Sequence, residues 1–192
     1  MTLPSLVTTV RVGLSPVFFA FFTMLTKNGE APLWAALLYW GFFIVMEITD
    51  LLDGKIARKT GSVTDFGKFY DPFADSFSRL TYFLAFLVTG FLPAWMFLLI
   101  LYRDITVSFV RLLAMRKSIV MSARLSGKIK AVIYAVACGS VLALVTARAV
   151  PDLAGTVPVL VFLQNAFMWI TAATAVWTTL DYSRGLKPSG RA

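Results

Sequence analysis

The chain has 192 residues, of which 58% are apolar and 15% charged, whereas soluble domains average about 45–50% apolar and about 25% charged residues. It contains no histidine and one cysteine, Cys138, which excludes histidine bases, zinc sites built from histidine or clustered cysteine, iron–sulfur centres and an internal disulfide. The formal net charge is +8, but Lys and Arg fall in short clusters between long apolar runs, which is typical of membrane proteins and not of a nucleic-acid-binding face.

Six apolar segments follow one another along the chain, each about the 20 residues that a helix needs to span a bilayer. Charged residues, glycine or proline mark the breaks between them. We expect an all-α, polytopic membrane protein with six transmembrane helices and a single domain, residues 1–192. The first segment contains Arg11 and lacks a basic leader and a cleavage site, so it is predicted to be a retained helix. The segments cover about residues 6–25, 32–58, 64–89, 93–115, 126–147 and 157–180, followed by a polar tail from about residue 181.

The distribution of basic residues predicts the orientation of these segments. If the N-terminus is cytoplasmic, the outer loops contain only Lys27 and Arg148 of the 18 basic residues, as the positive-inside rule requires. We therefore expect a multi-pass protein of the cell (inner) membrane, with both termini and the active site in the cytoplasm. In the fifth segment, small residues recur every four positions and form a ridge that lets another helix approach closely. The ridge consists of Ala131, Ala135, Gly139, Ala143 and Ala147.

Four aspartates lie in the second and third segments, where ionised groups are costly. Asp50 and Asp53 are three residues apart and Asp71 and Asp75 four apart, so each pair shares a helix face. The short turn at residues 59–62 makes the two helices antiparallel neighbours, which brings the pairs together. An all-oxygen cluster suits Mg²⁺ or Mn²⁺, and four carboxylates favour two ions. The alternative is a helix cap with salt bridges to Lys and Arg, which we regard as less favoured for four converging carboxylates.

Small residues and a cation accompany these aspartates. Gly54 follows Asp53 and Gly67 lies one turn before Asp71, and each leaves space beside the carboxylates. Arg58 lies one turn beyond Gly54, and a guanidinium can bind phosphate. The arrangement predicts a phosphate ester held by metal.

Together these residues resemble the CDP-alcohol phosphatidyltransferase family, because they match its signature D-x2-D-G-x2-A-R-x8-G-x3-D-x3-D without a gap. The resemblance implies a six-helix membrane enzyme in which an alcohol attacks the β-phosphorus of a CDP-linked donor and CMP leaves. It also implies a homodimer, with which the small-residue ridge is compatible. By resemblance, Asp50, Asp53 and Asp71 hold the metal ions with help from Asp75, Asp75 is the catalytic base, and Gly54, Ala57, Arg58 and Gly67 cradle the cytidine nucleotide.

Downstream cations indicate which alcohol is used. Arg103, Arg111, Lys128 and Lys130 can form a pocket for a free phosphate group, or they can extend to the lipid headgroups. Their arrangement is similar to the A-R-E…L-R…G-K-x-K pattern of the bacterial phosphatidylglycerophosphate synthase subfamily. In that subfamily these cations bind the phosphate of sn-glycerol 3-phosphate. The resemblance thus implies transfer of the phosphatidyl group of CDP-diacylglycerol to sn-glycerol 3-phosphate, giving phosphatidylglycerol phosphate and CMP in phospholipid biosynthesis.

The sequence also departs from this subfamily. Ser76 stands where lysine usually follows the last aspartate, and Ser5 replaces an asparagine near the start. Arg79, one turn past Asp75, is a candidate replacement for the lysine, and Glu47 is expected to pair with an arginine. Two alternatives remain: a family member with another acceptor or donor (inositol phosphate, serine, or choline or ethanolamine phosphotransfer), and a divalent-cation transporter, which would distribute carboxylates across the membrane.

Overall fold

The computed structural model describes the backbone of residues 3–60, 65–116 and 125–184, and the side chains of residues 8–49, 70, 73–110 and 126–182. All six predicted segments are α-helices, and no strand occurs in the described ranges, so the all-α prediction is confirmed. A short 3₁₀ helix, Pro151–Thr156, was not predicted and connects the last two α-helices. The helices are α1 (Leu3–Leu25), α2 (Leu33–Thr60), α3 (Asp65–Val88), α4 (Ala94–Arg116), α5 (Leu125–Ala149) and α6 (Val157–Arg184).

The described helices have the length and apolarity of a membrane protein. Three stretches, Thr8–Leu25, Ser126–Ala149 and Pro151–Tyr182, are long and apolar enough to cross a bilayer, and Leu33–Thr49 in α2 is a shorter apolar helix. Many large apolar side chains on these helices are exposed, among them Trp34, Phe162 and Trp169. Such surfaces are stable in lipid and costly in water, so a membrane protein is confirmed. Passage of α2, α3 and α4 through the bilayer stays a prediction.

Helices α2 and α3 run antiparallel and touch, as predicted from the short turn between them. The ring centroids of Phe43 and Tyr82 are 6.1 Å apart, and Glu47 Oε1 lies 3.5 Å from Arg79 Nη1. As the residue number rises on α2, that of its partner on α3 falls, which defines the antiparallel register. Helix α1 packs against both α2 and α3.

The small-residue ridge of α5 is contacted by α2 of the same chain. Trp40 Nε1 donates a hydrogen bond to Thr146 Oγ1 over 3.1 Å, and a Cβ at Gly139 would lie 3.9 Å from the Trp40 ring. Helix α5 packs most extensively against α6, and α6 also packs against α4. These contacts bring α3, α4, α5 and α6 together at one end of the bundle.

Candidate active site

Asp75, the predicted base, is held by an arginine one turn further along α3. Nε of Arg79 donates a hydrogen bond to Asp75 Oδ1 over 2.7 Å, in the i,i+4 spacing that brings helix side chains together. Arg79 is buried, with 6% of its side chain exposed, whereas Asp75 retains 32%. Asp75 is therefore fixed in direction while part of its carboxylate stays open to a ligand.

The same arginine connects α3 to two other helices. Its Nη1 lies 3.5 Å from Glu47 Oε1 on α2 and donates a hydrogen bond to the carbonyl oxygen of Ala131 on α5 over 3.2 Å. The expected ion pair of Glu47 with an arginine is thus confirmed. A guanidinium with five N–H donors in a planar fork can make these contacts together.

The register of α2 against α3 indicates where the remaining aspartates lie. Glu47 is level with Arg79, so residues 50 and 53, about 4.5 and 9 Å further along α2, are expected level with residues 76 and 73, close to Asp75 and Asp71 on α3. All four positions are in helical backbone. The side chains of Asp50, Asp53 and Asp71 lie outside the described residues, and among the described ones no group of three or more potential ligands can hold a metal. The donor chemistry of the four carboxylates fits a hard dication.

A second cluster of charges lies next to Asp75 and joins α4 to α5. Asp104 Oδ1 is 2.7 Å from Nη1 of Arg103 and 2.8 Å from Nζ of Lys130. All three residues are buried, with 5% or less of each exposed. The three groups together therefore carry one net positive charge in a site from which water is largely excluded.

Aromatic and hydroxyl groups complete the surroundings of these cations. Nε of Arg103 donates to Thr178 Oγ1 on α6 over 3.0 Å, and its guanidinium lies 5.9 Å from the centroid of the Tyr182 ring. The ammonium of Lys130 lies 4.7 Å from the centroid of the Tyr134 ring. Both distances fall within the range of cation–π attraction.

A cavity of about 60 Å³ separates the two charge clusters. Asp75 borders it from α3, Arg103 from α4 and Lys130 from α5, so the predicted base and two of the four predicted acceptor cations face one space. Gly127 borders it too, and a Cβ there would lie 3.2 Å from the hydroxyl of Tyr182. The full lining is Asp75, Ser76, Arg103, Val107, Ser108, Gly127 and Lys130.

The other predicted site residues lie away from this cavity or outside the described residues. Lys128 is exposed and does not line the cavity, because residues two apart on a helix project in different directions. The surroundings of Gly54 and Gly67 and the side chains of Ala57, Arg58 and Arg111 lie outside what the structure describes.

Sequence reasoning gave no role to Asp104, although it is the anion that joins the two cations. The available signal was an Arg-Asp pair within an apolar helix, since a carboxylate in such a segment needs a cationic partner. Its second cationic partner, Lys130, lies 26 residues away and is identified only by the packing of α4 near α5.

Comparison with known proteins agrees with this architecture. Residues 1–177 match the CDP-alcohol phosphatidyltransferase family. Over 143 residues the chain is 35% identical to a Treponema pallidum protein named CDP-diacylglycerol–glycerol-3-phosphate 3-phosphatidyltransferase, covering 70% of this chain and 65% of that protein. Over 137 residues it is 34% identical to a probable phosphatidylglycerophosphate synthase of Mycobacterium tuberculosis, covering 71% and 64%.

A Bacillus subtilis protein with the same name as the Treponema one is 34% identical over 134 residues, covering 67% of this chain and 69% of that protein. The chain thus spans about two thirds of the length of these relatives. The family match extends over all six helices up to residue 177 and includes the four aspartates and every residue that lines the cavity at Asp75. This chain is a member of the CDP-alcohol phosphatidyltransferase family.

Proposed function

We propose that this protein transfers the phosphatidyl group of CDP-diacylglycerol to sn-glycerol 3-phosphate, giving phosphatidylglycerol phosphate and CMP. The observation that carries the proposal is the cavity bordered by Asp75 on one side and by Arg103 and Lys130 on the other. An acceptor that has both a hydroxyl to be deprotonated and a phosphate to be bound matches these two sides. The names of the similar proteins from Treponema pallidum and Bacillus subtilis state this donor and acceptor.

In the proposed mechanism, Arg103 and Lys130 bind the acceptor phosphate and orient its free hydroxyl towards Asp75. Asp75 accepts the hydroxyl proton as the oxygen attacks the phosphorus of the phosphatidyl group. A new P–O bond to glycerol phosphate forms, and the bond between that phosphorus and the oxygen of CMP breaks. Arg79 holds the Asp75 carboxylate in place during this step.

We propose that Asp50, Asp53, Asp71 and Asp75 hold Mg²⁺ or Mn²⁺, and that two ions are bound. When bound, the ions neutralise charge on the donor diphosphate. Gly54, Ala57, Arg58 and Gly67 are proposed to cradle the cytidine nucleotide. Chelation should abolish turnover, and titration with Mn²⁺ followed by electron paramagnetic resonance should show weaker binding in Asp71→Asn than in the parent protein. Unchanged Mn²⁺ binding in that variant would contradict the proposed ligand set.

The reaction is tested with purified protein, CDP-diacylglycerol, Mg²⁺ and labelled sn-glycerol 3-phosphate, with release of CMP as the second readout. Asp75→Asn should lose turnover by about 10³-fold or more, because the proton acceptor is removed, while donor binding stays measurable. Asp152→Asn, an exposed carboxylate on the 3₁₀ helix, is the matched control and should leave the rate unchanged. Absence of CMP release, or near-normal turnover of Asp75→Asn, would refute the assignment.

Competing acceptors are tested in the same assay. Serine has no phosphate to occupy the buried pair Arg103 and Lys130, and a choline acceptor brings a cation towards these cations, whereas a phosphorylated acceptor pairs with them. A rate with serine or inositol phosphate above that with glycerol phosphate would assign the protein to another branch of the family. A divalent-cation transporter is disfavoured because the carboxylates gather at one end of α2 and α3.

We also propose that the protein lies in the cell (inner) membrane with both termini and the active site in the cytoplasm, and that it forms a homodimer. The distribution of basic residues supports the orientation. Membership of the family supports the homodimer, since the small-residue ridge of α5 is contacted by α2 of the same chain. Cysteine labelling of Lys27→Cys from the outer side, in a Cys138→Ser background, tests the orientation. Cross-linking in membranes tests the dimer.

A further inference from the structure

A second cavity lies at the end of the bundle opposite Asp75. We call it the distal cavity, and its volume is about 340 Å³, within the range of about 300–1,000 Å³ that is usual for small-molecule sites. The loops that follow α1 and α3 and the facing parts of α5 and α6 enclose it. The polar and aromatic part of its lining includes Asn28, Gly29, Phe91, Arg148, Gln164 and Asn165.

The spacing of the two cavities matches the thickness of a membrane. Lys130 borders the first and Arg148 the second, and both lie on α5. Eighteen residues of helix at a rise of about 1.5 Å each separate them by about 27 Å. The hydrocarbon core of a bilayer is about 30 Å thick. The distal cavity is therefore at the level of the lipid headgroups of the leaflet opposite the proposed reaction.

Arg148 is held at this cavity by two contacts. Its Nη1 donates a hydrogen bond to the carbonyl oxygen of Gly29 over 3.0 Å, and its guanidinium lies 5.9 Å from the centroid of the Phe91 ring. Gly29 has a φ of 79°, and a Cβ at this position would collide with Nη1 of Arg148. Glycine thus permits both the backbone turn and the close approach of the arginine.

The remaining groups of the cavity favour an anion. Among the described residues, Gly29 provides the one hydrogen-bond acceptor for Arg148. A guanidinium has five N–H donors, so donors remain for a ligand. Asn28 and Asn165 add exposed amides, and Gln164 is fixed by donating to the carbonyl oxygen of Phe91 over 2.9 Å. No carboxylate is among the lining residues. A phosphate oxygen is well suited to such a set of donors.

We propose that the distal cavity binds the phosphate group of an anionic membrane lipid from the leaflet opposite the active site. A lipid is favoured over free phosphate because the cavity lies at headgroup depth and because Leu144 and Val161 add apolar surface to its lining. An anionic lipid is favoured over a zwitterionic one because no carboxylate of the lining can pair with a choline.

The test is a lipid titration of the delipidated full chain in a neutral detergent. Thermal unfolding and native mass spectrometry are recorded with increasing dioleoylphosphatidylglycerol, and in separate arms with dioleoylphosphatidylcholine and with inorganic phosphate. Arg148→Gln removes the charge and keeps an amide donor. Asn165→Leu removes an amide and narrows the cavity without breaking any hydrogen bond given by the structure, so it tests the site even if Arg148→Gln folds poorly. Lys27→Gln is the matched control, since Lys27 is exposed at the same end and does not line the cavity.

We expect Arg148→Gln to weaken binding of the anionic lipid about tenfold, because a charge-assisted contact is lost. Asn165→Leu should weaken it severalfold, and Lys27→Gln less than twofold. Equal affinity in the parent protein and Arg148→Gln, or an equal loss in Lys27→Gln, would overturn the proposal. Arg148-dependent stabilisation by inorganic phosphate alone would instead assign the cavity to a free phosphate. The experiment measures lipid binding and not turnover, so a negative result would overturn this proposal without contradicting the proposed reaction.

Discussion

Removal of Asp104 tests whether the buried cations form a substrate site. Its carboxylate is 1% exposed and contacts Arg103 and Lys130. Without it, two buried cations lose their common anion. Arg103 keeps Thr178 and the Tyr182 ring, whereas Lys130 keeps the ring of Tyr134 and the charge of Asp75 across the cavity, with no hydrogen bond to it among the described residues. The larger part of the cost therefore falls on Lys130.

Breaking a buried ion pair by removing one partner costs about 3–5 kcal/mol. At about 2–4 °C per kcal/mol for a chain of this size, Asp104→Asn should lower the unfolding temperature by about 6–20 °C. It should also raise KM for the acceptor about tenfold or more, because the cations separate when their anion is lost, with a smaller effect on KM for the donor. Asp104→Glu should restore part of both properties.

A double variant separates stability from substrate binding. Adding Lys130→Met to Asp104→Asn removes the unpaired charge, so stability should recover by about 1–3 kcal/mol, while acceptor binding should worsen. Differential scanning fluorimetry in detergent measures the first, and initial rates at varied glycerol phosphate measure the second. If Asp104→Asn left both the unfolding temperature and the acceptor KM unchanged, our view of this cluster would be wrong.

Three further predictions concern other positions. Arg79→Lys should reduce kcat at least tenfold, because a single ammonium cannot replace the planar guanidinium that contacts Asp75 and the backbone of α5. Glu47→Gln should have a smaller effect in the same rate assay, and equal losses in the two variants would contradict this ranking. Arg111→Ala should raise KM for the acceptor far more than for the donor, and equal increases would argue against an acceptor-phosphate role. Gly139→Ala should be tolerated, because a Cβ reaches only ordinary van der Waals contact with Trp40. Gly139→Leu should destabilise the protein by about 1–3 kcal/mol in thermal unfolding, because the larger side chain collides with Trp40.

Much of the fold followed from local patterns. Long apolar runs with charged breaks predicted six helices, and the short connection after α2 predicted its antiparallel contact with α3. The 3₁₀ helix Pro151–Thr156 was not predicted, because six residues with one proline at the start do not establish a helical periodicity. Hydropathy alone thus located the helices but not the irregular connection.

The site was predictable only in part, because several of its contacts join distant parts of the chain. Asp75 was identified by spacing to other aspartates, which is local information. Sequence could not decide between Lys128 and Lys130, since the two project in different directions and only the packing of α5 shows which one is buried. The role of Asp104 depends on the approach of α4 and α5, so no local pattern contained it.

The contacts of Arg79 link the geometry of the two sides of the cavity. The carbonyl that it contacts on α5 belongs to Ala131, the residue next to Lys130. If capture of an anion at Lys130 tilted α5, one guanidinium would transmit the movement to the carboxylate of Asp75. Alignment of the proton acceptor should then depend on whether the second substrate is present, which would disfavour wasteful hydrolysis of the activated lipid by water.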